Sequence, residues 1–151
     1  MKPSDSAQTL IEQLGLSPHP EGGWYRETWR APAADGTRAG GTAILFLLKA
    51  SEASHWHRVD ADELWLWQGG DPLALRIALR DAGPAETILL GGDIAAGERL
   101  QGLVPTGAWQ AARPAGTGDA GYSLVSCVVV PGFEFAGFTL APAGWEPGAA
   151  L

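Results

Sequence analysis

The sequence predicts an all-β domain of the sandwich, barrel or jelly-roll kind, opened by one short helix. Three observations carry this. Beyond residue 15 the chain breaks into short apolar runs at near-regular intervals, each bounded by Gly, Pro, Asp or Ala. Its 21 Gly and 11 Pro supply many turns and leave no room for long helices. Its 151 residues suffice to bury one core, and no break in composition suggests two, so residues 1–151 are read as a single domain.

The elements follow in order. "SDSAQTLIEQLGL" places Ala7, Leu10, Ile11 and Leu14 at helical spacing. Asp5 followed by Gln8 resembles a capping box, and Gly15 stands where helices stop, so a helix is expected over about 4–15. The β part is expected over about 19–141. Its strands are "GWYRETWRA", "GTAILFLLKA", "DELWLWQG", "PLALRIAL", "ETILLG", "YSLVSCVVV" and "FEFAGFTLA". "APAADGTRAG" and "RPAGTGDAG" read as exposed loops, the second as a mobile one, and 142–151 as a trailing tail.

Seventeen acidic against ten basic side chains give a net charge of −7 and a pI near 4.8, which opposes any binding mode that neutralises phosphates along nucleic acid. The single Cys127, inside "SLVSCVVV", cannot form an intrachain disulfide and reads as a small core residue. No apolar run reaches the roughly 18 residues of a membrane span, and the N-terminus lacks the order of a signal peptide. A soluble cytoplasmic protein is the expectation.

The densest chemistry lies in "SHWHRVDADELW", residues 54–65. On a strand, His55 and His57 point from the same face, as two ligands of one cation must. The next strand puts Glu63, Trp65 and Trp67 on one face, so neighbouring strands would bring Glu63 opposite the histidines as a third ligand. Two histidines and a carboxylate suit zinc, iron, nickel or manganese. The competing reading makes both histidines exposed strand residues paired with Asp60 and Asp62. Arg26 and Arg30 alternate with Tyr25, Glu27 and Trp29, which offers an anion clamp or a phenolic acid, or simply exposed strand charges. His19, before a proline, reads as part of a loop without chemistry.

These residues carry a family resemblance. "HWHRVDADELWLWQGG" resembles the first cupin motif, with Glu63 and Gly70 at its closing interval. "PTGAWQ" resembles the second, with Gln110 where many cupins carry a histidine. In order, "HPEGGWYRE", "WHRVDADELW", "GDPLAL", "VPTGAWQAARP" and "PGFEFAGF" resemble the cupin-5 family, DUF985, over about residues 8–141. The resemblance implies a double-stranded β-helix, the cupin jelly roll, in a homodimer. It implies a metal held by His55, His57, Glu63 and Gln110. The five-residue spacer between His57 and Glu63 is one longer than the usual motif, which leaves open a looped-out residue or Asp62 in place of Glu63. Leu66 stands where relatives carry a histidine.

Of the seven tryptophans, Trp56, Trp65, Trp67 and Trp109 lie within the two motifs, and about half are expected to line a ligand cavity. Three functions are open. A metal-assisted isomerase, epimerase, lyase or dioxygenase would act on a small polar or sugar-like substrate, with His57 or Glu63 moving a proton. A metal-free sugar-nucleotide epimerase-like enzyme would pair His57 as base with Tyr25 or Tyr122 as acid. A non-catalytic small-molecule binder would use the aromatic pocket alone.

Overall fold

The computed structural model describes residues 3–116 and 118–149, with side chains from residue 6 onward. A helix α1 (Pro3–Leu14) is followed by eleven strands: β1 (Ser17–Pro18), β2 (Trp24–Arg30), β3 (Thr42–Lys49), β4 (Ser54–Val59), β5 (Asp62–Gly70), β6 (Leu73–Ala78), β7 (Ala85–Leu90), β8 (Gln101–Val104), β9 (Trp109–Pro114), β10 (Tyr122–Val130) and β11 (Phe138–Leu140). They form two antiparallel sheets, β1-β2-β3-β10-β5-β8 and β11-β4-β9-β6-β7. Packed face to face, these make the jelly roll expected of the sequence.

The helix ends as its residues dictate. Gly15 adopts φ +66°, while Gly15 N–H donates to Glu12 O and Leu16 N–H to Ile11 O, so orphan carbonyls of the last turn are satisfied. Ile11 and Leu16 pack on Leu47 of β3. The capping-box side chain of Asp5 lies outside the described residues, and Gln8 bonds Glu12 instead.

The interior divides in two. At one end Phe46, Leu48, Trp65, Leu73, Leu75, Leu90, Val104, Val125 and Cys127 fill the space between the sheets with apolar atoms. At the other end Val59, Ala61, Val129, Phe133 and Phe138 pack around a small cavity into which buried polar side chains enter.

The structure corrects three expectations. β4 and β5 are not neighbours but lie in opposite sheets, so Glu63 meets His57 across the sandwich rather than along one sheet. In "FEFAGFTLA" only Phe138–Leu140 is a strand; Phe135–Gly137 is a 3₁₀ turn. The segment from Pro142 to Ala149 is not a loose tail: Trp145, 3% exposed, inserts against Trp56 and Trp109 on the outer face of the five-stranded sheet. The loop 115–121 is tied by Asp71, which accepts from the backbone N–H of Ala120 and Gly121; Thr117 within it lies outside the described residues.

Candidate acid/base site

The acid/base groups at the cavity end of the sandwich come from four segments, the "HPEGG" turn, β4, β5 and β9. The "HPEGG" turn between β1 and β2 crosses the end of β4, with His55 N–H donating to Glu21 O at 2.8 Å. Gly22 and Gly23 have φ of +107° and +79°. These values drive Glu21, flanked by the glycines, down into the barrel. A methyl group on Gly22 would overlap the carbonyl oxygen of Ala53. Gly22→Ala is therefore expected to destabilise the protein by about 1–3 kcal/mol or more, read as a fall in thermal midpoint, because it must also push the turn off β4.

Glu21 is 8% exposed and has three partners: Ser54 Oγ, His57 Nε2 at 3.1 Å, and His19 Nδ1 at 3.2 Å. The backbone fixes both histidine tautomers. His57 Nδ1 lies 2.7 Å from the carbonyl of His55, which only accepts, so Nδ1 carries the hydrogen and Nε2 turns its lone pair to the cavity. His19 Nδ1 accepts from the Glu21 backbone N–H at 3.1 Å and so carries none. The lone pair of His19 Nδ1 is thus taken by the backbone, whereas that of His57 Nε2 is free, so Glu21 fits the site as the neutral acid with its one proton donated to His57. Desolvation agrees, raising the Glu21 pKa to about 8 against a weaker lowering by the Ser54 hydrogen bond. Desolvation, with His57 nearby, lowers His19 to about 4, and desolvation lowers His57 as well.

Glu63 enters from β5, 6% exposed, with its pKa raised to about 7, first by desolvation and, in part, by Glu21. Gln110 orients it. The Trp65 indole N–H, a donor only, points at the Gln110 side-chain oxygen at 2.8 Å, so the Gln110 amide nitrogen faces Glu63 and donates at 3.0 Å.

These groups line a cavity of about 30 Å³, walled by Ile44, Val59, Val129, Phe133 and Phe138, which has room for a water or two. Tyr25, Thr42, Ile44 and Phe133 also border an outer chamber of about 180 Å³, which Glu27, Arg30 and Phe135 share. Tyr25 stands at the junction, its ring edge-on to His19 at 4.5 Å between centroids.

The structure scatters the expected metal set. β4 carries a bulge between Ser54 and His57, seen in its pairing with Ala112 and Gln110. The extra residue breaks the alternation, so Ser54 and His57 face inward while His55 faces out and bonds the Pro142 carbonyl at 3.0 Å. Gln110 has its oxygen engaged by Trp65. The residues expected as ligands therefore do not fit a shared metal ion, and among the described residues no three His, Cys, Asp or Glu side chains are placed to hold one. Asp62 does not replace Glu63, for it is exposed and accepts from Thr106.

The expected aromatic lining is also corrected. Trp56 and Trp109 lie in an outer cluster with Trp145, Trp65 sits in the apolar core, and Trp67 packs against that core and donates to the Asp71 carbonyl. Phenylalanines wall the cavity in their place. Arg26 points outward towards Gly15 at the end of α1. A bulge between Glu27 and Trp29 instead turns Arg30 to the outer chamber, where it pairs with Glu27 at 2.8 Å and donates to the Phe133 carbonyl.

Glu21, His19 and Ser54 are the functional candidates that the residue pattern did not disclose. The signal was "HPEGG", an acid held between a proline and two glycines.

Comparison with known proteins agrees with this architecture. Residues 8–141 match the family described as "Cupin superfamily (DUF985)". The chain is 31% identical over 152 residues to the uncharacterized protein YML079W of Saccharomyces cerevisiae, covering 89% of this chain and 74% of that protein. A hypothetical protein from Leishmania major shares 37% identity at a TM-score of 0.83, over 92% of this chain and 89% of that one. Protein SO0799 of Shewanella oneidensis shares 42% at 0.82, over 89% and 84%. Oxalate decarboxylase from Bacillus subtilis aligns at a TM-score of 0.60 with 14% identity, over 82% of this chain and 29% of that enzyme, a likeness of fold alone. Among the described residues no helix is long and apolar enough to cross a membrane.

Proposed function

This chain belongs to the cupin superfamily family DUF985, and from that premise we propose that it is an acid/base isomerase or epimerase of a small carbonyl-bearing substrate, working without a metal ion. One observation carries the reading: Glu21, His57 and Glu63, from three separate segments, converge buried in an apolar cavity. Burying three ionisable groups together is costly to folding, and such clusters concentrate at sites that move protons.

The roles follow from the hydrogen bonds. Glu63, held by Gln110, is the base that takes the proton from the carbon next to the carbonyl. The electron pair of that C–H bond becomes the new C=C bond. The carbonyl oxygen takes a proton from the neutral Glu21–His57 pair, which gives an enol. As the enol hydroxyl returns its proton to the Glu21–His57 pair, a proton given to the same carbon on the face away from Glu63 inverts it; the Tyr25 hydroxyl, which also borders the cavity, would be that donor, and the tyrosinate then recovers a proton from solvent while Glu63 releases its own. In a hydroxycarbonyl substrate, Glu63 instead returns its proton to the former carbonyl carbon while the neighbouring hydroxyl loses its proton to the Glu21–His57 pair, which moves the carbonyl and isomerises the substrate. The small inner cavity admits only the reacting end, and the outer chamber takes the rest.

The test applies before the substrate is identified. The protein is incubated in D₂O with a panel of hydroxyketones, small sugars and 2-oxo acids, and loss of the proton next to the carbonyl is followed by NMR. Exchange that survives exhaustive chelation is the expected result. Exchange abolished by chelation and restored by a divalent metal would replace this reading with the metal-assisted one. A panel member that binds tightly without exchange would make the protein a binding module.

A further inference from the structure

On the other side of the five-stranded sheet lies a second depression, of about 230 Å³, which shares only Ser54 with the groups of the acid/base site. Its floor comes from small side chains, among them Ala74 on β6 and Ala111 on β9, so the surface dips between larger neighbours. Trp56 and Trp145 form one wall. Arg76 and Arg113 form another.

The sheet register brings the two arginines together. Arg76 stands opposite Ala111, and Ala74 opposite Arg113, so the guanidinium groups rise from the same face of adjacent strands one diagonal step apart. Arg30, Arg38 and Arg58 each have a carboxylate within 4.0 Å. Among the described residues Arg76 and Arg113 have no such partner; nor do Arg26, Arg80 and Arg99, but Arg76 and Arg113 stand side by side in one depression, where Arg76 lies over the Trp56 ring at 5.1 Å. In a chain with seventeen acids to ten bases, two adjacent cations left without counter-charge hold a place for an anion from outside. Glu146 borders the same depression and repels an anion from its own end. His55 also borders it, but its Nε2 is engaged by the Pro142 carbonyl.

We propose that this groove binds a small organic oxyanion, its phosphate or carboxylate group held between Arg76 and Arg113 and its apolar body resting on the alanine floor. Guanidinium forks match both headgroups bidentately. The volume is below that of a drug-sized pocket and suits one ring or a short chain.

Trp56 and Trp145 line this groove, while no tryptophan lines the acid/base cavity and Trp65 touches that site only through Gln110, so quenching that is lost in Arg113→Ala reports the groove. The full chain is titrated with inorganic phosphate, phenyl phosphate and benzoate at low salt. Saturable quenching is expected with phenyl phosphate or benzoate, whichever headgroup the site prefers, and weaker binding with inorganic phosphate. Arg113→Ala, at an exposed position, is expected to weaken binding about ten- to a hundredfold. Glu146→Gln is expected to tighten it, an opposite sign that a general loss of structure would not give. No saturable response to any probe, or equal binding by wild type, Arg113→Ala and Arg76→Ala, would overturn the proposal. Either failure would leave the reading of the internal cluster untouched.

Discussion

Between pH 6.5 and 8 the thermal midpoint of this protein is expected to fall, and Glu21→Gln is expected to remove most of that fall. In the unfolded chain Glu21 loses its proton near its ordinary value of 4.5, whereas in the folded protein it keeps it to about 8. Over that interval the folded state binds the extra proton, so its stability declines as pH rises. The stability from the raised pKa is complete below 4.5 and gone above about 8. His19 works the other way: with its folded value lowered from 6.5 to about 4, its stabilisation is present above 6.5 and is lost as pH falls through 4. His57 is lowered too and acts in the same direction. Below 6.5 the rings and the acids offset one another; above 6.5 the acids act alone. One proton over 1.5 pH units corresponds to about 2 kcal/mol, or about 4–8 °C for a domain of this size. Glu63, raised to about 7, adds to the first part of the decline. Differential scanning calorimetry of wild type and Glu21→Gln from pH 5 to 9 checks this. A wild-type midpoint that is level or rising between 6.5 and 8 would place Glu21 in water or in its charged form.

Why the sequence disclosed the fold but hid much of the site is visible in particular residues. β3, β5, β6 and β10 follow unbroken or alternating apolar runs, because each strand buries one face and its period survives in the side chains. β9, "WQAARP", lacks β-branched residues; it is a strand because β4 and β6 pair with it on both sides, a tertiary cause without a local mark. The bulges in β2 and β4 are as silent. Each inserts one residue and reverses the faces: in β4 this turns His55 out while Ser54 and His57 stay in, and in β2 it separates Arg26 and Arg30, which plain alternation puts on one face. His57, Glu63, Gln110 and Tyr25 were legible as residues that share the site, though not what each does there. Glu21 was hidden by its neighbours: an acid beside proline and glycines reads as a solvated turn, and only the packing of that turn over β4 shows that it points inward.

Proton exchange on a responsive substrate is expected to follow a narrow bell with its maximum between about pH 7 and 8. The rising limb is ionisation of Glu63, the base, near 7, and the falling limb is loss of the Glu21 proton near 8. The two groups share one cavity, so the limbs are properties of the cluster rather than of either residue. Glu63→Gln keeps the shape and the hydrogen bond to Gln110 but lacks the base, and is expected to slow exchange about 10²–10⁴-fold. Glu21→Gln is expected to lower the maximum and abolish the falling limb, since an amide has no proton to lose in this range. Gln110→Leu separates positioning from chemistry. The amide donates to Glu63 and holds its pKa down, so its removal is expected to move the rising limb to higher pH and to reduce stability by leaving the Trp65 N–H without a partner. A bell that keeps both limbs in Glu21→Gln, or a rising limb that Gln110→Leu does not move, would assign the titrating groups elsewhere. With both shifts observed, the rate comes from two carboxyl groups that one apolar cavity holds in opposite protonation states, which is what moving a proton out and back requires.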